Sequence, residues 1–467
     1  MNILLKKISY FLIGLLLICF IISSYTFQFM YPYGHLNDTN KFSILYIITE
    51  LVKLSGYLLL PLAICFNNKT SRNISKIILP IFSIISLFYC HFYLSISKLD
   101  PTLPFYNTNS LDELTLSIYN KINLFIPSWL IGANYILTNL LFVILSIIIY
   151  IQDKINFKDI KSLIYYPLFI ILVLPFNLFD NLVRIFPKNV YNFFLFDNFT
   201  IWHFLMFIIL ILSTLFLYLY LRKQSLFKQD LILRALALSL MIHFYGRNSM
   251  LIGDGYNVYN TVFASIPLFI CDIGKYIVFF AIMFKKKIFY NIAFFVHSAG
   301  ALTVFFYFGK EGTHNYGTIF NYSFLYFTIT HLLLFILSTM PVFLRQVNFS
   351  LKEALVPSLY YGVVILIATF TSVLVTNLSM TITTQGGKTL LTPIYPNYAF
   401  SQICPVPVSF PTFLNVTIGI CEVNFFYEII LFIAYVVLFF AFYSIYALGK
   451  FILQKYQFSK LKSLIKN

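Results

Sequence analysis

The chain has 467 residues, of which 60% are hydrophobic and 10% charged, and a soluble domain carries about 25% charged residues. With a mean hydropathy of +0.85, this excludes a water-soluble globule and indicates a polytopic membrane protein. The formal net charge of +16 does not indicate nucleic acid, because Lys and Arg fall between apolar segments, where they set topology and meet anionic head groups at the cytoplasmic face.

A helix crossing ~30 Å of hydrocarbon needs about 20 apolar residues. That rule predicts an all-α, polytopic transmembrane helical bundle of about twelve spans. They lie at residues 8–30, 44–66, 76–97, 129–151, 163–183, 201–221, 231–252, 262–284, 289–308, 322–344, 356–376 and 426–449. The apolar run after Lys6 and Lys7 is too long for a signal core and is expected to be an uncleaved first span. Pro175 and the stretch from Asn177 to Asp180 interrupt the fifth span.

Basic residues fill alternate linkers: Lys69, Arg72 and Lys76, then Lys154 to Lys161, Arg222 to Arg234, Lys285 to Lys287, and Arg345 with Lys352. The positive-inside rule then places both termini in the cytoplasm of a cell-membrane protein. The organisation expected is an N-terminal five-span region (1–195), a seven-span core (196–449) and a basic amphipathic cytoplasmic tail (450–467). Two outer regions, 98–128 and 377–425, are rich in Pro, Asn and Thr and are expected to be loops. Six cysteines show no C-x-x-C spacing, so no metal or cofactor is expected. Cys404 and Cys421 share the second outer loop, and a disulfide between them stays open.

Ionisable groups inside a bilayer are costly, so each is a functional hypothesis. Glu50 and Lys53 are spaced to pair within the second span. Asp272 and Lys275, and Cys271 and Lys275, lie on adjoining parts of one helix face, and the plainest role for Asp272 and Lys275 is mutual neutralisation. Cys271 and His331 each fall roughly 14 Å below the outer boundary at ~1.5 Å per residue, and His243 and His297 fall within about 2 Å of that layer. A thiol and an imidazole in one layer can serve as nucleophile and base, although a lone Cys in an apolar helix is more often a packed small residue.

From about His203 to Leu448 the chain resembles the YwaF-like family of integral membrane proteins. The resemblance is carried by Phe199-Thr200-Ile201-Trp202-His203, Arg234-Ala235-Leu236-Ala237-Leu238 and Leu268-Phe269-Ile270-Cys271-Asp272-Ile273. It continues through Asn291-Ile292-Ala293-Phe294-Phe295, Ala299-Gly300-Ala301-Leu302, Phe327-Thr328-Ile329-Thr330-His331 and Asn397-Tyr398-Ala399-Phe400. Bacterial members commonly have His where this chain has Phe269. The family includes an animal transmembrane lipid acyltransferase, and the resemblance implies acyl transfer from phospholipid through a thioester on Cys271, with His331 as base. Asp272, Lys275, His297 and His243 would then support or orient the substrate, and the partners would be membrane lipids. Two other readings remain. Twelve spans with buried Asp272, Lys275 and histidines suit a proton-coupled secondary transporter, and nothing in the residues excludes a non-enzymatic membrane scaffold.

Overall fold

The computed structural model describes residues 3–25, 44–89, 128–153, 157–176, 178–179, 192–253, 266–306, 318–385, 388–389 and 410–466. These are mostly helical. In chain order the helices are α1 (Ile3–Tyr25), α2 (Ile44–Ile64), α3 (Lys69–Leu87), α4 (Ser128–Gln152), α5 (Tyr166–Leu172) and α6 (Ile201–Leu221). They continue with α7 (Leu226–Gly253), α8 (Ile270–Phe284), α9 (Lys287–Phe306), α10 (Tyr322–Phe343), α11 (Leu355–Thr383) and α12 (Phe425–Lys466). Among the described residues, eight helices are long and apolar enough to cross a membrane: α1, α2, α4, α6, α9, α10, α11 and α12.

The other four expected spans differ from that pattern for local reasons. Asn68 caps α3 by accepting the Ser71 amide at 2.7 Å, so the helix begins well before residue 76 and carries Lys69, Arg72 and Lys76 on its own body. The fifth segment is a 3-10 turn (Lys161–Tyr165) followed by the short α5, which ends at Val173. Pro175 has no N–H to continue a helix and biases Leu174 away from helical geometry. Lys228, Asp230 and Arg234 lie within the first turns of α7. Helix α8 starts at Ile270 rather than near residue 262. Pro267 precedes it, Phe269 is extended (φ −70°, ψ 139°), and the helix has 15 residues, about 22 Å at ~1.5 Å per residue.

The expected loop at 377–425 also holds regular structure. Strands β1 (Thr384–Gln385) and β2 (Lys388–Thr389) pair, and β3 (Asn415–Ile418) pairs antiparallel with β4 (Cys421–Asn424), with Ile418 opposite Cys421. Gly419 has φ +64° at the first position of the two-residue β3–β4 turn, which is the type II′ requirement. The expected loop at 98–128, apart from Ser128 at the start of α4, and Cys404 of the open disulfide lie outside the described residues. The tail is continuous with the last span, in one helix to Lys466.

The described residues fall into two compact units. The first comprises residues 1–266, 312–333 and 383–392. In it α2 lies along α3, α3 along α4, and α1 against α4 and α7. Leu58, Leu59, Leu60, Phe142 and Leu145 are fully buried there. An ideal Cβ at Gly56 would sit 3.0 Å from the Phe142 ring, so glycine permits the close approach of α2 and α4. A polar bolt crosses this bundle. Lys53 Nζ is 2.8 Å from Glu50 Oε2. Tyr135 and Ser86 hydroxyls donate to Glu50 Oε1 at 3.1 and 3.3 Å, and Lys53 lies 3.9 Å from the Tyr135 ring centroid. Within α3, buried Lys76 bonds Asp159 at 3.0 Å.

The second unit comprises residues 267–311, 334–382 and 393–467. Helix α8 packs on α9. Helices α11 and α12 meet at successive antiparallel levels: Asn377 with the β3–β4 turn, Thr369 with Glu428, and Tyr361 with Tyr435. Helix α11 is preceded by a capping box, in which Glu353 accepts the Ser350 amide at 2.6 Å.

Candidate functional site

Cys271 is half-buried and is the second residue of α8. It therefore sits in the first turn of a helix and not in mid-span as the hydropathy window implied. The Phe269 carbonyl accepts the amides of Asp272 and Ile273, both at 2.9 Å. A helix N-terminus directs amides and the positive end of the dipole at whatever lies before it, an arrangement that can hold negative charge developing on a sulfur or an acyl oxygen.

Asp272 and Lys275 are both buried and pair at 2.5 Å within one turn of α8. Each charge has its partner, so the pair fixes the first turn of α8 as a net-neutral unit. His297, on α9, is fully buried. It ends a π-helical turn, Ala293–His297, of the kind that recurs at functional sites. Its ring lies flat against α8: a Cβ on Gly274 would sit 2.6 Å from His297 Nδ1 and 2.8 Å from Cγ. On its other side Nε2 is 3.2 Å from the Tyr360 hydroxyl of α11. The Tyr435 ring of α12 lies tilted against that of Tyr361, with centroids 4.1 Å apart. Cys271, Asp272, Lys275 and His297 thus share the second unit.

His331 and His243 belong to the first unit. His331 Nδ1 is 2.6 Å from the Phe327 carbonyl. A carbonyl only accepts, so in the neutral ring Nδ1 carries the hydrogen and Nε2 is the acceptor nitrogen, the tautomer a general base needs. The His243 Nε2–H points to the Leu172 carbonyl at 3.1 Å, and its ring stacks on Phe176 at 4.2 Å, so His243 anchors the end of α5. Arg247, one turn further along α7, lies 5.4 Å from the Tyr326 ring centroid.

Two functional candidates escape the sequence reading. Arg247 falls close enough to a span end to be counted with a linker. Glu428 is a buried acid three residues into α12. Its signal was present, since an acid within an apolar run is a functional hypothesis by itself. Among the described residues no group of three or more His, Cys, Asp or Glu could hold a metal.

No curated protein and no solved structure matches the chain. One family model matches, described as the TMEM164 family, over residues 198–414. Its start agrees with the onset of the resemblance at Phe199, and it ends before α12 where the resemblance was read on to Leu448. The chain is a multi-pass helical membrane protein, similar from α6 to the start of the β3–β4 hairpin to this transmembrane family, and the match includes both Cys271 and His331.

Proposed function

We propose that the protein transfers or hydrolyses acyl chains of membrane phospholipid through a thioester on Cys271. The observation that carries this reading is the half-buried thiol at the N-terminal turn of α8, inside the stretch similar to the TMEM164 family. The Cys271 sulfur attacks the ester carbonyl, the tetrahedral oxyanion collapses, and the ester C–O bond breaks. A base takes the thiol proton and returns it to the departing lysolipid oxygen, the role that the sequence resemblance implies for His331. A second lysolipid hydroxyl, or water, then attacks the thioester and regenerates the thiol. The Asp272–Lys275 pair holds the first turn of α8, and His297 props α8 through Gly274.

The same reading keeps both termini cytoplasmic in the cell membrane, with α3, α5, α7 and α8 completing twelve passes beside the eight long apolar helices. Residues 1–195 form an N-terminal region, residues 450–467 meet anionic head groups, and lipid enters from the outer leaflet.

The test is incubation of the purified protein with a phospholipid bearing an alkyne-tagged acyl chain. A hydroxylamine-labile tag on Cys271 is expected, absent in Cys271→Ala and slowed about 10²–10⁴-fold in His331→Ala. Absence of any tag, or a tag that survives in Cys271→Ala, overturns the reading. The second reading, a proton-coupled transporter, is favoured by buried Glu428, which has no ammonium partner among the described residues.

A further inference from the structure

Four acidic residues are buried among the described residues: Glu50, Asp159, Asp272 and Glu428. Three of them face an ammonium group. Glu50 pairs with Lys53, Asp159 with Lys76 and Asp272 with Lys275. Among the described residues Glu428 makes one polar contact, with the Thr369 hydroxyl at 2.7 Å. The titratable groups close to it along the chain are Cys421 and Glu422 on β4 and Tyr427 on its own helix. Glu422 is exposed and tied to Asn415.

Counting hydrogens decides which group donates. Thr369 Oγ1 carries one hydrogen and lies 3.0 Å from the Ile365 carbonyl as well as 2.7 Å from Glu428 Oε1. The carbonyl can only accept, and a helical Thr commonly donates to the carbonyl four residues back. With that hydrogen so used, the short contact to Glu428 needs a hydrogen from the carboxyl. The opposite assignment leaves an ionised carboxylate in an apolar seam with one neutral donor and no cation among the described residues, which is the costly arrangement.

We infer that Glu428 is a proton-binding site: its carboxyl is protonated at neutral pH and donates to Thr369 Oγ1 across the α11–α12 seam. The ligand is a proton. Glu428 lies about 5 Å along the axis from the start of α12, beneath the β3–β4 hairpin whose Cys421 and Val423 pack on Val373. Exchange therefore occurs from the hairpin end. The site stands whether or not Cys271 performs acyl transfer.

The experiment is infrared difference spectroscopy between neutral and alkaline pH on the full chain in lipid nanodiscs. The expected result is a carbonyl stretch from a protonated carboxyl that disappears in Glu428→Gln and changes frequency in Thr369→Val, which removes the acceptor but keeps the acid. If Glu428→Gln does not fold, the frequency change in Thr369→Val decides. A wild-type spectrum without that band, or a band that Thr369→Val leaves in place, overturns the proposal.

Discussion

Gly274→Ala tests whether the contact between α8 and the His297 ring organises the second unit. In an unconstrained helix the change gains about 1 kcal/mol. Here the new Cβ would lie 2.6 Å from His297 Nδ1. Ordinary contact begins near 3.4 Å, so the ring or the helix must give by about 0.8 Å. The ring is fully buried and held by Tyr360, and overpacking of this kind costs about 1–3 kcal/mol. The net expectation is a loss of about 0–2 kcal/mol. In a His297→Ala background the obstacle is gone, and Gly274→Ala becomes stabilising by up to ~1 kcal/mol. The assay is reversible unfolding in mixed micelles of the two single variants and the double variant. The coupling expected is about 1–3 kcal/mol. Equal effects of Gly274→Ala in both backgrounds would refute the packing argument.

Lys275→Met should strand a buried Asp272 and cost about 3–5 kcal/mol, most of it recovered in the Asp272→Asn/Lys275→Met double variant, as read by unfolding midpoints; a double variant no better than the single one would contradict the pairing. Gly419→Ala should loosen the β3–β4 hairpin by about 1–3 kcal/mol, because the position has φ +64° and its Cβ would collide with Asn377 Oδ1. Faster hydrogen exchange at Val416 and Val423 would report that change, and unchanged exchange would refute it. Glu353 gives a pH dependence. Desolvation opposes its ionisation, but the hydrogen bond from Lys287, the Ser350 amide and the Lys287 charge outweigh it and hold the carboxyl below its usual range. A depressed acid stabilises above its unfolded pKa of about 4.3 and loses that stability as pH falls through the folded value. Wild type and Glu353→Gln should therefore differ at neutral pH and converge below about pH 4. Lys287 is more than half exposed, so the difference should stay under about 1 kcal/mol, and a gap that persists in acid would count against the linkage.

Hydropathy located α2, α4, α6, α9 and α10 to within a few residues, because a bilayer-length apolar run has few alternatives. Spacing also located the Asp272–Lys275 and Glu50–Lys53 pairs, since residues three apart on a helix meet without help from tertiary structure. A window average blurs a helix start, so the late beginning of α8 at Ile270 was lost in the apolar residues before it, and with it the terminal placement of Cys271. The π turn at His297 depends on packing against Gly274 and Tyr360 and has no local signature. The hairpin was legible in principle from Gly419 between Val416, Ile418, Cys421 and Val423, but composition of the surrounding loop outweighed it. Ser86 and Tyr135 joining Glu50 could not be read at all, because the contacts span 36 and 85 residues.

Those separations bear on how the N-terminal bundle is made. A lone lysine at the centre of an inserting helix costs about 2.5–3.5 kcal/mol. Lys53 emerges from the ribosome with Glu50 already one turn behind it, so α2 can enter the bilayer carrying its own counter-charge before α3 exists. Ser86 then arrives on α3 and Tyr135 later still on α4, each adding a hydroxyl to the same carboxylate oxygen. Biosynthesis thus completes the shell of Glu50 in the order in which the helices are translated. A chain arrested before Tyr135 would hold a paired but under-coordinated carboxylate, the state that membrane quality control would meet first.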